Sequence, residues 1–105
     1  MATLRDLMNL RGRRILITGA AGRLGRTMAD TLAELGAAVL LVDQDEYALA
    51  QITDDLRSRW AVDVHSYQTD LEDQAQRSRL ISEVCNSGEG LHALINNAAF
   101  VGTSD

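Results

Sequence analysis

The chain has 105 residues, of which 10 are basic and 15 acidic, so its formal net charge at pH 7 is −5. All ten basic residues are arginine, and neither lysine nor proline occurs. The missing lysine excludes a P-loop phosphate site and a Schiff base within these residues. The length predicts one compact domain, and the acidic balance argues against a nucleic-acid or anionic-membrane partner.

Cysteine use and the N-terminal residues indicate the compartment. Cys85 is the single cysteine and cannot form an internal disulfide, which fits a reducing environment. Residues 1–6 lack the apolar stretch of a signal peptide, and the longest strongly apolar run covers only residues 37–42. We therefore expect a cytoplasmic protein.

The first half of the chain predicts a strand, a helix and a second strand. Residues 14–18 and 38–42 are continuous apolar runs, as expected for central parallel strands covered on both faces. Between them, apolar residues at helical spacing predict a helix that Gly36 ends: Leu24, Met28, Leu32 and Leu35.

The second half repeats this alternation. Residues 63–68 mix polar and apolar side chains, which predicts a strand at the sheet edge, and residues 91–95 return to the buried pattern. The capping-box spacing of residues 69–72 indicates the start of the last helix. Two further apolar stripes predict the helices: Leu49, Ile52, Leu56 and Trp60, then Leu80, Ile81, Val84 and Cys85.

The alternation predicts an α/β fold of β-α-β-α-β-α-β order. Right-handed crossovers between parallel strands give the strand order 3-2-1-4, which is half of a doubly wound sheet. We expect one domain with a lead-in over residues 1–12, the βα units over 13–99 and a tail over 100–105. Cys85 is interpreted as a buried thiol, Trp60 as core, and the arginine pairs 13–14, 57/59 and 77/79 as solvated.

Three glycines lie between the first predicted strand and the first predicted helix. Gly19, Gly22 and Gly25 are small where a backbone must approach a pyrophosphate and where a helix must pack close to a strand. The free N–H groups at the helix start would then point at the anion. The alternative is a tight strand-to-helix turn with no ligand.

Asp43 follows the second predicted strand, 18 residues after Gly25. A carboxylate there can accept hydrogen bonds from both hydroxyls of an adenosine ribose and would repel the 2′-phosphate of NADP. No arginine stands at positions 44 or 45 to offset that repulsion, so NAD is preferred over NADP. The alternative is that Asp43 or Asp45 only caps the following helix.

Four landmarks in order resemble the short-chain dehydrogenases/reductases, whose cofactor domain is a Rossmann-type sheet. They are the glycine turn, Asp43, the segment 69–71 and the run 94–99, and the resemblance extends from about Leu10 to Ala99. The resemblance implies that Gly19, Gly22 and Gly25, with the backbone around Arg23 and Leu24, hold the pyrophosphate. It also implies that Asp43 binds the adenine ribose, that Asp70 and Leu71 contact the adenine, and that Asn97 lies nearest the ribose.

The sequence departs from the family pattern in three places. Compact members usually place the middle glycine where this chain has Arg23, and the Asn-Asn motif normally ends in glycine where this chain has Ala99. The family's catalytic serine and Tyr-x-x-x-Lys pair would come after Asp105. Neither tyrosine replaces them, because Gln51 and Leu71 stand four residues after the two tyrosines.

The resemblance therefore implies the NAD(H)-binding part of an oxidoreductase that transfers hydride between a nicotinamide cofactor and an alcohol or carbonyl substrate. Without the catalytic residues, this chain alone is expected to be inactive. The alternative is a non-catalytic dinucleotide-sensing or interaction module. An uncovered fourth strand is expected to promote self-association through residues 93–95.

Overall fold

The computed structural model describes Thr3, Asp6 and residues 8–98. Ala99 and the expected tail over residues 100–105 lie outside the described residues. Four strands alternate with three helices: β1 (Arg14–Thr18), α1 (Arg23–Glu34), β2 (Ala38–Asp43), α2 (Glu46–Arg59), β3 (Val64–Gln68), α3 (Gln74–Asn86) and β4 (Ala93–Asn96).

The strands form one sheet in the order β3-β2-β1-β4, and every neighbouring pair is parallel. Leu16 of β1 lies opposite Leu40 of β2 and Leu94 of β4, which fixes the register. The predicted α/β fold and strand order are confirmed. Parallel pairing also brings the carboxyl ends of all four strands to one edge, where ligands bind in folds of this class.

The helices cover the two faces of the sheet unequally. On one face, α1 and α2 pack against a core that includes Ile17, Leu41 and Leu56. On the other face, Leu80 and Val84 of α3 pack against a smaller core. Trp60 is half-buried against the larger core, in agreement with its interpretation from the sequence.

The predicted stripe of α1 is wrong at Leu24 and correct at Leu32, which packs against the larger core. Leu24 is 60% exposed, whereas the residues of α1 that face the sheet are small: Gly25, Ala29 and Ala33. The hydrophobic pattern predicts that the larger side chains face the sheet. Close packing of a helix against a strand instead requires small residues at the contact. The most buried positions of α1 therefore follow the predicted ones by one residue.

The last helix and strand also differ from expectation. Asp73, not the segment 69–72, caps α3, because its side chain accepts from the N–H groups of Ala75 and Gln76. Cys85 is exposed rather than buried. Leu94 of β4 is 61% exposed, because β4 pairs with β1 alone among the described strands and Leu94 lies outside the core that α3 covers.

Arg14 is a further correction, because the sequence indicated a solvated side chain. It is buried at the start of β1, where its guanidinium donates to the carbonyl of Gly90 and lies 3.6 Å from the Glu89 carboxylate. Its backbone N–H donates to Nδ1 of His92 at 2.9 Å. These contacts attach the segment before β4 to β1.

Candidate functional site

The turn between β1 and α1 requires glycine at two of its three glycine positions. Gly19 has a φ of +66°, and a Cβ there would lie 3.0 Å from the backbone N of Ala98. A Cβ at Gly25 would lie 2.2 Å from the carbonyl oxygen of Gly19, which is closer than atoms can approach. The first turn of α1 can therefore pack directly on the end of β1.

The first turn of α1 leaves backbone donors free. Gly22 is the N-cap residue, and it has no side chain to bond them. The N–H group of Arg26 donates to the carbonyl of Gly22 at 2.9 Å, but within residues 8–98 the N–H groups of Arg23, Leu24 and Gly25 have no acceptor. Unpaired donors at a helix start carry partial positive charge and can bind an anion.

Asp43 ends β2 beside this turn, and its carboxylate is already partly engaged. Oδ2 accepts from the N–H of Ala21 at 3.0 Å, and Oδ1 accepts from the N–H of Asp45 at 3.0 Å. Each oxygen retains a further lone pair, since a carboxylate can accept about four hydrogen bonds. Asp45 is the N-cap of α2, where it accepts from Ala48. The capping role therefore belongs to Asp45, and Asp43 holds the glycine turn.

Thr18 joins the ends of β1 and β4, a role that the sequence analysis did not identify. Its hydroxyl donates to Oδ1 of Asn96 at 2.8 Å and accepts from the N–H groups of Asn97 at 3.0 Å and Ala98 at 3.2 Å. The side-chain amide of Asn97 lies 3.4 Å from the carbonyl of Gly19, to which it donates. The hydroxyl thus positions Asn97 against the glycine turn.

Asp70 follows β3 at the same edge of the sheet. Its backbone N–H donates to Oε1 of Gln76 at 2.8 Å, and its Oδ1 accepts from the N–H of Glu72 at 3.0 Å. The helix that follows is capped by Asp73, whose pKa is lowered mainly by the hydrogen bond from the backbone N–H of Gln76. Oδ2 of Asp70 has no hydrogen-bond donor among the described residues.

These residues surround a cavity of about 260 Å³ at the carboxyl ends of the strands. The lining includes six of the nine candidates from the sequence: Gly19, Gly22, Asp43, Asp70, Leu71 and Asn97. Arg23 and Leu24 are exposed in the first turn of α1, and Gly25 is buried beneath the turn, so these three do not line the cavity.

Other lining residues were missed by the sequence analysis: Val42, Gln44, Thr69, Glu72 and Ala98. Each lies next to a candidate at the end of a strand, and that position is the signal that could have found them. The described lining holds three carboxylates and no arginine, so the cavity is acidic apart from the N–H groups of α1.

Two observations concern other kinds of site. Within the described part of the chain, no three His, Cys, Asp or Glu side chains are close enough together to hold a metal ion. No helix among the same residues is long and apolar enough to span a membrane.

A parallel sheet with a glycine turn after β1 and a carboxylate at the end of β2 defines a domain of the dinucleotide-binding type. The family model for short chain dehydrogenases matches residues 13–105. The chain therefore belongs to the short chain dehydrogenase family, as the sequence landmarks indicated.

Individual relatives agree with this assignment. A short chain dehydrogenase/reductase from Macrophomina phaseolina is 32% identical over 100 residues, which are 95% of this chain and 57% of the relative. An NAD⁺-bound xylitol dehydrogenase structure superposes with a TM-score of 0.82 at 30% identity, over 89% of this chain and 35% of that one. The structure of a short chain dehydrogenase/reductase from Burkholderia phymatum in complex with NAD superposes with a TM-score of 0.74 at 34% identity. The superposition covers 82% of this chain and 30% of that one.

The coverage of these relatives is partial. This chain spans 57% of the fungal relative and about a third of the two superposed structures.

Proposed function

We propose that this chain is the NAD(H)-binding part of an oxidoreductase that transfers hydride between a nicotinamide cofactor and an alcohol or carbonyl substrate. The observation that carries the proposal is the meeting of the glycine turn, Asp43, Asp70 and Asn97 around one cavity. Two of the structural relatives that share this part of the fold are described as holding NAD.

The residues present fit a dinucleotide. In the proposal, the free N–H groups of Arg23, Leu24 and Gly25 hold the pyrophosphate, and the glycines let the turn pack closely enough on β1 to present these groups. The remaining lone pairs of Asp43 accept from the adenine ribose. Oδ2 of Asp70 accepts from the exocyclic amine of the adenine, with Leu71 beside the ring.

The charges around the cavity favour NAD over NADP. Asp43, Asp70 and Glu72 contribute negative charge, and no arginine lines the described part of the cavity. A 2′-phosphate beside Asp43 would meet like charge with no cation to offset it. We therefore propose NAD as the cofactor.

Calorimetric titration of the chain with NAD and with NADP tests the proposal. We expect heat with NAD and weaker binding of NADP. Asp43→Asn should weaken NAD binding about tenfold or more, because it removes a charged acceptor of hydrogen bonds, and it should reduce the preference over NADP. Asp45→Asn is the matched control, since Asp45 does not line the cavity. No heat with either cofactor at millimolar concentration would contradict the proposal.

The catalytic step needs residues that these 105 positions do not supply. The family's proton donor is a Tyr-x-x-x-Lys pair, and this chain has no lysine. We therefore expect cofactor binding without turnover when the chain is mixed with NADH and a carbonyl substrate. Oxidation of NADH by the purified chain, coupled to reduction of the carbonyl, would contradict this expectation.

A second candidate is a non-catalytic dinucleotide-sensing module, which would bind the cofactor in the same cavity without a proton donor. The DNA sequence after codon 105 separates the two candidates. An in-frame serine and Tyr-x-x-x-Lys pair would support the oxidoreductase, and a stop codon would support the sensing module.

We further propose that the chain associates with itself through β4. On the side away from β1, the backbone groups of β4 have no partner strand among the described residues. Leu94 adds an exposed apolar side chain at this edge. Unpaired edges with apolar side chains favour pairing between chains.

A further inference from the structure

A second cleft lies at the opposite edge of the sheet from the glycine turn. It has a volume of about 690 Å³ and is bounded by Arg13, Ala38 and Val64, at the amino ends of β1, β2 and β3. Five residues at about 3.3 Å each separate the two edges by roughly 16 Å. The cleft therefore shares no residue with the dinucleotide cavity, and its size suits a small molecule.

The cleft is positively charged although the whole chain is acidic. Arg11, Arg13 and Arg57 line it, and Asp63 is the one carboxylate residue in its described lining. Among residues 8–98, none of the three arginines forms an ion pair with a carboxylate. Three arginines and one carboxylate residue in the lining give the cleft a local excess of positive charge, which would attract an anion.

The fold orders a part of each arginine: the guanidinium of Arg57, the side-chain stem of Arg11 and the backbone of Arg13. The Arg57 guanidinium donates to the carbonyl of Val64, which leaves its other N–H groups free. The Cγ of Arg11 packs where a Cβ at Gly36 would come within 2.8 Å, and Gly36 has a φ of +101° that favours glycine. The carbonyl of Arg13 accepts from the N–H of Ala38 at 2.9 Å. A bound anion would therefore contact arginines of which part of the side chain or the backbone is already ordered.

Trp60 supplies an apolar wall to the same cleft. Its indole N–H donates to Asp30 at 2.8 Å, and Arg59 lies 5.9 Å from the ring centroid. Arg59 also pairs with Asp30 at 2.8 Å and with Asp55 at 2.7 Å. Asp30 and Asp55 therefore pair with Arg59 and do not neutralise the three arginines of the cleft.

We propose that this cleft binds a small organic phosphate. Guanidinium groups recognise phosphate oxygens through paired hydrogen bonds, and three arginines line this cleft. The apolar part of the ligand lies against Trp60. The proposal is independent of the dinucleotide site, since neither site contributes a residue to the other.

Trp60 is the only tryptophan, so its fluorescence reports on this cleft. Titration with phenyl phosphate should give a saturable change. Arg11→Gln with Arg13→Gln should weaken binding about tenfold or more, from the loss of charged hydrogen bonds. Arg79→Gln, which removes the same charge outside the cleft, should change affinity less than twofold. Asp63→Asn should tighten binding, an effect that misfolding cannot produce.

Two further titrations exclude other sources of the signal. Saturating NAD should leave the phenyl phosphate affinity unchanged, and inorganic phosphate should bind more weakly because it has no part to lie against Trp60. The proposal is overturned if no saturable change occurs at millimolar ligand, if Arg79→Gln weakens binding as much as the double variant, or if Asp63→Asn does not tighten it. Displacement by NAD, or equal affinity for inorganic phosphate, also overturns it. Failure of NAD to bind would leave this titration interpretable.

Discussion

The strands β2 and β4 have similar apolar sequences but opposite environments. Val39, Leu40, Leu41 and Val42 of β2 are fully buried, whereas Leu94 of β4 is 61% exposed. β2 lies between β1 and β3 with helices on both faces, while β4 pairs only with β1 among the described strands. Burial is therefore decided by what covers a strand and not by the strand's own residues.

The candidate site extends across both environments. The glycine turn and Asp43 belong to the well-packed part of the sheet, and Asn97 follows the exposed strand. Thr18 connects the two parts through its three hydrogen bonds. The difference in burial between β2 and β4 should consequently affect two measurable quantities: the free energy of unfolding and the local order of the residues at the site.

The largest effect should come from truncating equivalent leucines on the two strands. Leu40→Ala creates a cavity in a fully buried position and should lower the free energy of unfolding by about 2–5 kcal/mol. At a protein concentration where the chain is monomeric, Leu94→Ala should lower it by less than about 0.5 kcal/mol, because its side chain is 61% exposed. Urea denaturation of both variants measures the contrast, and equal losses would show that β4 is buried in solution.

Removing the Thr18 hydroxyl should have the next largest effect. Thr18→Val keeps the shape but leaves the N–H groups of Asn97 and Ala98 without their acceptor, at a cost of about 1–3 kcal/mol. Thr18→Ser keeps the hydroxyl and is the matched control. Hydrogen exchange at Asn97 and Ala98 should accelerate in the valine variant only. Faster exchange in the serine variant as well would mean that the methyl group, not the hydroxyl, holds β4.

A charge on β4 should reduce the proposed self-association. Leu94→Glu places a carboxylate at the unpaired edge, and sedimentation at increasing concentration should show a larger fraction of monomer than for the unsubstituted chain. Tyr47→Glu is the control, because Tyr47 is also largely exposed but lies on α2. A monomeric unsubstituted chain at all concentrations, or equal dissociation by both variants, would contradict the role of β4.

The smallest effect concerns the cap of α3. The folded pKa of Asp73 is lowered from its usual value of 3.8 by hydrogen bonds, chiefly from the N–H of Gln76. Its charge therefore stabilises the fold above pH 3.8, and this contribution is lost as the pH falls through the lowered pKa. Asp73→Asn keeps a capping oxygen, so it should be less stable near neutral pH and equal in stability to the unsubstituted chain in acid.

Thermal unfolding across this pH range measures the effect. Asp54→Asn is the control, since Asp54 is exposed on α2 and makes no hydrogen bond through its side chain among the described contacts. A constant difference between Asp73→Asn and the unsubstituted chain at every pH would show that the charge is not responsible.

The sequence predicted the order of the strands because apolar runs and helical stripes alternate, and chirality leaves few topologies. It also located the glycine turn and Asp43, since both follow strands. It failed at Leu24 and Cys85, where helical spacing defines a stripe but cannot give its orientation. Close packing of Gly25 on Gly19 brings the small residues of α1 to the sheet, and in α3 the buried residues are Leu80 and Val84, so Cys85 is exposed.

Contacts between distant segments could not be predicted. Thr18 meets Asn97 only because β1 and β4 pair in a particular register. The arginines of the second cleft are also distant in the sequence. Arg13 precedes β1 and Arg57 lies on α2, and they line one cleft only in the assembled sheet. Side-chain hydrogen bonds and clusters of this kind depend on the assembled sheet.

The most direct test of the central claim is to map the amide resonances of the chain during titration with NAD. The resonances of Gly19, Gly22, Asp43 and Asn97 should shift together and saturate, because these residues surround one cavity across both parts of the sheet. The resonance of Arg13 at the opposite edge should stay unchanged. Unshifted resonances of the first four residues at saturating NAD, or changes confined to the edge that holds Arg13, would contradict the account.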